Sequence, residues 1–362
     1  MVLALGIETS CDDTACAVLE SDGTVLASVV SSQLDVHRPY GGVVPEIASR
    51  EHLANWPVVE AETLRLAGIT LRDVDLVAAT RGPGLIGALL VGLSLGRGIA
   101  YGLGRPFHAV HHLEGHLYSP FLRAPGEAAA PVPDRFTGLV VSGGHSSLYR
   151  AEGGSVSTVA ETRDDALGEV FDKVGKRLGL PYPQGPLVDA IAERGAAAPR
   201  AFKVATCTDG SLDFSYSGLK SQALQAIERL ERQGIDCRSA DPEALPPQVA
   251  DLLAGFRASA VGQVMDRVER MHEVEPIEIL AVSGGAAANR LLRRELSRWA
   301  GEREVDLRLV PLTWSGDNAA MIAWAALLRD RRGLRDDPLE ADAASRLPLT
   351  GEAGESAGQG GR

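Results

Sequence analysis

The run His-His-Leu-Glu-Gly-His at residues 111–116 sets His112 and His116 four positions apart. On a helix both imidazoles then leave from one face and can bind a single metal ion through ring nitrogens, while His111 points elsewhere. The same spacing also suits two ordinary core histidines, and two nitrogens leave a metal shell short of ligands. Zinc proteases of the HExxH type carry their general-base glutamate directly after the first histidine. Here Leu113 holds that place and Glu114 follows, so the carboxylate leaves in a different direction and proteolysis is disfavoured.

Three further segments end a run of strand-forming residues in a small, polar or glycine-rich turn. GIETSCDD brings Glu8, Asp12 and Asp13 to such a turn, a composition that offers N–H groups to phosphate and carboxylates to a cation or water. A simple capped turn has the same composition. VVSGGHSS (140–147) and AVSGGAAANR (281–290) repeat the design with Ser-Gly-Gly, where glycine lets the backbone approach a ligand closely. The second opens into a helix expected from about Ala287, and a strand, a glycine turn and a helix N-terminus together make an anion or nucleotide seat. No GxxxxGK[ST] occurs, which excludes a Walker A loop.

The elements that must hold these turns are readable. Strands are expected at 2–9, 15–20 and 25–31, with Asp22-Gly23 as the hairpin turn between the last two, a three-stranded antiparallel start. A helix follows over 45–67, a strand at 76–80, a glycine-rich helix from about Leu85 and a strand at 107–110. Hairpins followed by βαβ units imply a mixed sheet with helices on its faces. The Ala/Pro/Gly segment 124–135 reads as a linker, and a new strand begins at Phe136. The expected division is an N-terminal lobe over 1–123, a C-terminal lobe over 136–316, and a buried helix at 317–331 that returns the chain to the first lobe. The second half opens like the first, which suggests duplicated lobes. The tail 350–362 has almost nothing to bury and is expected to be disordered.

Length and composition set the outer bounds. A chain of 362 residues with 45% hydrophobic content buries a substantial core and favours two lobes. Forty glycines against 5% aromatic residues suit α/β folds with tight turns more than a stacking-based nucleic-acid binder. A formal net charge of -12 argues against generic charge-driven binding to nucleic acid, so an RNA site must be a local basic patch or be completed by a partner. Cys11, Cys16, Cys207 and Cys237 show no CxxC pair or disulfide-framework spacing and read as reduced thiols. The N-terminus reads as a core strand and not a leader, and the longest apolar stretch, 85–103, is interrupted by glycines and Arg97. A soluble, cytoplasmic protein is expected.

Three phosphate-ready junctions spread over two lobes point to the actin, sugar-kinase and heat-shock ATPase architecture: an α/β, duplicated two-lobe fold with mixed sheets flanked by helices. The resemblance becomes specific in GIETSCDD, YGGVVPEIASREH (40–52), RGPGLIGALLVG (81–92), VHHLEGHLYSP (110–120), LVVSGGHS, GEVFDKVGKRLGL, FSYSGLK (214–220), SGGAAANRLLR and DNAAMIAWA. From residue 3 to about residue 330, this set resembles the TsaD family of tRNA N6-adenosine threonylcarbamoyltransferases.

The resemblance implies acyl transfer. The N6 amine of the adenosine adjacent to the anticodon, in tRNAs reading codons that begin with A, attacks the carbamoyl carbon of threonylcarbamoyl-AMP, and AMP leaves. It also implies Asp317 as a third metal ligand beside His112 and His116, with iron expected first and zinc as the alternative. Val140, Val141, Ser142, Gly143 and Gly144 are expected along the adenylate, with Asp172, Gly185, Asp189 and Asn289 at its adenosine. Asp172 and Asp189 equally suit helix capping or ion pairing. Many family members have PGGP where this chain has PQGP, Gln184 replacing the first glycine, so the backbone shape beside Gly185 is in doubt. Asp12, Asp13, Glu8 and His145 are the candidates to orient the attacking amine, and Lys220 and the arginines at 290–294 are candidates for phosphate or for an ordinary solvated face. The implied partners are a TsaB-like paralogue and a TsaE-like ATPase, with tRNA as substrate. A small-molecule kinase on the same fold, or a catalytically silent scaffold, are the competing readings.

Overall fold

The computed structural model describes residues 2–128, 131–196, 202–204, 207, 209–337, 340–349 and 351–352. In chain order the strands are β1 (Leu3–Glu8), β2 (Asp13–Glu20), β3 (Val25–Ser32), β4 (Leu76–Gly82), β5 (Phe107–His111), β6 (Arg135–Val141), β7 (Ser146–Glu152), β8 (Ser155–Ala160), β9 (Ile279–Ser283), β10 (Asp306–Leu309) and β11 (Gly351–Glu352). The helices are α1 (Leu34–His37), α2 (Pro45–Ala67), α3 (Ile86–Leu103), α4 (His112–Tyr118), α5 (Leu167–Arg177), α6 (Gln184–Ala192), α7 (Ser217–Arg232), α8 (Pro247–Val274), α9 (Arg290–Arg303) and α10 (Ala319–Arg331). The chain forms two compact units, one made of residues 1–135, 150–157 and 310–362, the other of 136–149 and 158–309.

In the first unit a five-stranded sheet runs β3-β2-β1-β4-β5, antiparallel through β1, β2 and β3 and parallel through β1, β4 and β5. The β2–β3 turn closes on Gly23, whose φ of 91° falls in the left-handed region open to glycine. Pro45 opens α2 in its first turn, and Gly68 ends it in the left-handed conformation. The glycines and Arg97 do not break α3, which is one 18-residue helix that meets membrane-spanning criteria by length and composition. Its buried positions, Ala88, Leu89, Gly92, Leu93, Gly96 and Ala100, recur on one face. Gly96 lies over Phe107 and Ala79 of the sheet, as a sheet-covering helix must.

Helix α10 is buried along Ala319–Leu327. Two glycines admit it: a Cβ on Gly6 would lie 2.2 Å from the Ala319 carbonyl oxygen, and one on Gly115 would lie 2.9 Å from Ile322. Helix α10 therefore seats directly on β1 and α4, and the residues just ahead of it are delivered to the metal-type histidines.

The second sheet runs β10-β9-β6-β7-β8-β11, with β9 parallel to β6 and to β10. Leu139, Val141, Phe171, Val174, Phe256, Val264, Leu280 and Val282 form the apolar core of the second unit, and the Phe171 and Phe256 rings lie 5.0 Å apart. The helix expected from Ala287 begins later. Gly285–Ala288 form a 3-10 turn, and α9 starts at Arg290 because Asn289 caps it by accepting from the Leu292 N–H at 3.0 Å. Of the tail expected to be disordered, all but Gly351–Glu352, which pair with β8, lies outside the described residues.

Candidate metal and nucleotide sites

Helix α4 begins immediately after β5, and His111 caps it through Nδ1, which accepts from the Leu113 N–H at 3.1 Å. Its Nε2 faces the Leu347 carbonyl at 2.9 Å, so His111 is turned away from its neighbours in the run. His112 and His116 share a face, with ring centroids 4.7 Å apart and planes near perpendicular. Asn318 caps α10 by accepting from the Met321 N–H at 3.0 Å, which leaves the preceding Asp317 to face the histidines. Asp317 Oδ1 lies 3.1 Å from His116 Nε2 and 3.5 Å from His112 Nε2. One donor atom from each of the three residues falls within 4.8 Å of the others. Two imidazole nitrogens and a carboxylate oxygen at this spacing fit a first-row divalent cation with coordination positions left open, and the donor set suits iron as well as zinc.

Glu8, expected beside the substrate amine, is fully buried behind His112. Its Oε2 lies 3.0 Å from His112 Nδ1 and accepts from the Thr80 hydroxyl at 2.6 Å, while Oε1 accepts from the Ser10 N–H. Burial works against this carboxylate, but His112 and the Thr80 hydroxyl hold it below its usual range. Burial also works against a charged His112, and there Asp317 and Glu8 win, raising it to about 9. Burial keeps His116 below the usual imidazole value and so neutral, the state a metal ligand needs. Asp13, at the start of β2, is pushed up to about 7 by burial and by Asp317. Asp12 lies in the same turn, its carbonyl accepting from the Gln33 N–H at 3.0 Å.

Glu114, on the same helix, meets Arg329 at 3.5 Å and Arg332 at 3.9 Å in the interior. It faces away from the metal-type group, as its place in the run predicted.

In the second unit, the Ser142–His145 turn is closed by the Ser142 N–H donating to the His145 carbonyl at 2.7 Å. Val140 and Val141 are buried in β6, so only their backbone can meet a ligand. A Cβ on Gly143 or Gly144 would meet no atom within 4 Å. Those two glycines thus border open space. The strand ends of β6 and β9 lie side by side, with Val140 opposite Ser283. Gly284 crosses so near that a Cβ there would sit 2.2 Å from the Val141 carbonyl oxygen.

Asp172 Oδ1 accepts from the Gly185 N–H at 2.7 Å at the start of α6, where Gln184 is buried and helical. Asp189 accepts from Arg257 at 3.0 Å, from the Asn289 amide at 2.9 Å and from the Arg290 N–H at 3.2 Å. The structure thus brings Asp189 and Asn289 together and ties both into the protein frame. Lys220 ion-pairs with Asp165 at 2.5 Å, and Lys173 pairs with the same carboxylate. Arg294 pairs with Glu193 at 2.8 Å. Lys220 and Arg294, two of the cations expected at phosphate, therefore have carboxylate partners in this structure.

The tRNA N6-adenosine threonylcarbamoyltransferase (TsaD) family matches residues 24–324. The enzyme of that name from Geobacter sulfurreducens is 46% identical over 323 residues, 89% of this chain and 90% of its own length. That from Anaeromyxobacter dehalogenans is 44% identical over 96% of this chain and 100% of its own. The chain belongs to the TsaD family. It is therefore a transferase that places a threonylcarbamoyl group on N6 of a tRNA adenosine, and membership decides against the kinase and scaffold readings.

Solved structures are similar in fold alone. T. kodakarensis HypF matches at a TM-score of 0.57 with 15% identity over 90% of this chain and 46% of its own. Component A of (R)-2-hydroxyglutaryl-CoA dehydratase from Acidaminococcus fermentans matches at 0.51 with 16% identity over 92% and 99%. The fold is the expected actin-like α/β architecture, and the TsaD family brings with it a metal cofactor. Sequence reading missed Ser10 and Thr80 around Glu8, and Asp165 between two lysines. Thr80 reaches Glu8 because β1 and β4 pair in parallel with Ile7 opposite Ala79, and Ser10 because it follows Glu8 by two residues.

Proposed function

We propose that the chain transfers the threonylcarbamoyl group from threonylcarbamoyl-AMP to N6 of the adenosine adjacent to the anticodon in tRNAs reading codons that begin with A. The N6–carbon bond forms, the bond from the carbamoyl carbon to the AMP phosphate oxygen breaks, and one N6 proton leaves. The observation that carries this reading is the convergence of His112 Nε2, His116 Nε2 and Asp317 Oδ1. These residues would hold one divalent metal, iron first and zinc as the alternative. When bound, such a metal supplies Lewis acidity toward a carbonyl oxygen.

The adenylate is already activated, so the protein needs to position substrates and stabilise charge more than to hydrolyse ATP. Gly143 and Gly144 offer their open backbone to the adenylate, and Asp172, Gly185, Asp189 and Asn289 frame its adenosine. Asp12, Asp13 and His145 remain the candidates for the group that takes the N6 proton. The target base lies in a single-stranded loop, which lowers the cost of splaying it into a pocket. The work is cytoplasmic and needs a TsaB-like paralogue and a TsaE-like ATPase.

The test is incubation of the chain with threonylcarbamoyl-AMP and unmodified tRNA, with and without those two partners, followed by nucleoside mass analysis. Modified adenosine in the complete mixture is the expected result. Its absence there, with metal-loaded protein, overturns the choice of donor.

A further inference from the structure

Glu8 lies far from His112 in sequence, yet its carboxylate touches the one ring nitrogen of His112 that is turned away from Asp317. His112 Nδ1 faces Glu8 Oε2 at 3.0 Å and the Ser10 hydroxyl at 3.2 Å, while Nε2 faces Asp317. An ionised carboxylate can only accept a hydrogen bond. When metal binding displaces the extra proton of His112, the proton that remains sits on Nδ1, and the lone pair on Nε2 points at the position shared with His116 and Asp317.

Glu8 is itself held on both oxygens. The Thr80 hydroxyl donates to Oε2 at 2.6 Å and the Ser10 N–H donates to Oε1. All four side chains, those of Glu8, Ser10, Thr80 and His112, are buried, so water does not compete for these bonds. A buried carboxylate held by two protein donors and directed at the far nitrogen of a ligand histidine is the arrangement by which outer groups fix a metal ligand's tautomer and ring orientation.

We infer that Glu8 is a positioning residue for the metal centre, orienting His112 through Nδ1, and that Thr80 holds Glu8 in place for this task. This replaces a role for Glu8 at the substrate amine: a fully buried side chain with both oxygens engaged is not available to tRNA. The inference rests on the ligand reading of His112, His116 and Asp317 given above.

The experiment titrates Co(II) and Zn(II) into the full-length chain after removal of bound metal by dialysis against a chelator. Affinity is read by competition with a chromophoric chelator, the ligand set by the Co(II) absorption bands, and folding by thermal unfolding of the metal-free chain. Wild type is expected to bind one ion and His116→Ala none. A wild type that binds none, or a His116→Ala chain that binds as tightly as wild type, overturns the ligand reading and this inference with it.

With that reading intact, Glu8→Gln is expected to bind roughly 10- to 100-fold more weakly with unchanged Co(II) bands, since the first ligands stay the same. Thr80→Val is expected to lose less, on the order of threefold to tenfold. Unchanged affinity in Glu8→Gln overturns the inference alone, and altered bands overturn it by making Glu8 a direct ligand. Should Glu8→Gln fail to fold, Thr80→Val decides: weaker binding by a folded chain supports the inference and wild-type binding overturns it.

Discussion

Glu114 and His116 lie on the same seven-residue helix and both are buried, yet Glu114 meets the guanidinium groups of Arg329 and Arg332 while His116 meets Asp317. Arg329 also bonds Asp336, which accepts from the Ala109 N–H at 3.0 Å. Glu114 thus ties α4 to α10 and to the chain beyond it. Removing one partner of a buried ion pair leaves an uncompensated charge and costs about 3–5 kcal/mol. Because Arg329 keeps Asp336, Glu114→Ala is expected to lower stability in urea unfolding by less than that, about 1–3 kcal/mol, while keeping one metal per folded chain. His116→Ala is expected to do the reverse, with metal and transfer activity lost and a smaller change in the unfolding of the metal-free chain. Loss of stoichiometric metal from folded Glu114→Ala protein would mean that the two residues are not separable in this way. The separation was legible in the sequence, because helical spacing fixes which residues share a face. The place of Glu8 was not, since 104 residues separate it from His112 and no local pattern encodes that contact.

Helix α10 carries Asp317 to the histidines only because β1 and α4 are thin where it crosses them. A methyl group on Gly6 would meet the Ala319 carbonyl oxygen at 2.2 Å, a backbone atom that cannot rotate aside. Gly6→Ala is expected to push the start of α10 away, destabilise the chain by about 1–3 kcal/mol as overpacking does, and weaken metal binding at least about tenfold. Gly98→Ala is the control, for a Cβ at that position of α3 meets nothing within 4 Å; there the better helix former is expected to leave metal binding unchanged and to stabilise by about 0.5–1 kcal/mol. Chelator competition and urea unfolding on both variants check this, and equal metal affinity in Gly6→Ala and wild type would count against it.

Helix α9 makes a second case. Asn289 both caps the helix and bonds Asp189, so Asn289→Ala is expected to cost about 1 kcal/mol as a lost cap and to weaken adenine-nucleotide binding roughly tenfold to a hundredfold. Asn289→Ser should restore the cap and not the nucleotide affinity, and nucleotide titration with unchanged affinity in both variants would place the pocket elsewhere. The bounds of α2 were readable because Pro45 and Gly68 punctuate them. The start of α9 was misjudged because three alanines favour a helix without fixing where it begins, and the cap that fixes it is defined by its bonds.

At the scale of the whole molecule, the mixed sheets and the family were legible from ordered motifs, whereas the condition of the cationic side chains was not. The chain carries 36 lysines and arginines against 48 acidic residues, and many of the cations are already matched within the second unit. Arg163 pairs with Asp209 and Asp213, Arg177 with Glu231, Lys173 and Lys220 with Asp165, Arg294 with Glu193, and Arg303 with Glu269. Each such pair lowers what its cation offers to a phosphate, since the local carboxylate must first be displaced. Phosphate neutralisation by lysine and arginine supplies most non-specific affinity for nucleic acid, with a dependence on salt that steepens as more phosphates are neutralised. The lone chain, at a formal charge of -12, is therefore expected to bind tRNA weakly and in a salt-sensitive manner. A complex with the proposed TsaB-like and TsaE-like partners is expected to bind more tightly and with a steeper salt slope, because the added positive surface must come from them. Filter binding of tRNA over a salt series, for the chain alone and for the assembled complex, measures both quantities. Nanomolar binding by the lone chain that does not change with salt would show that the paired cations are no obstacle and that this chain carries the complete RNA site itself.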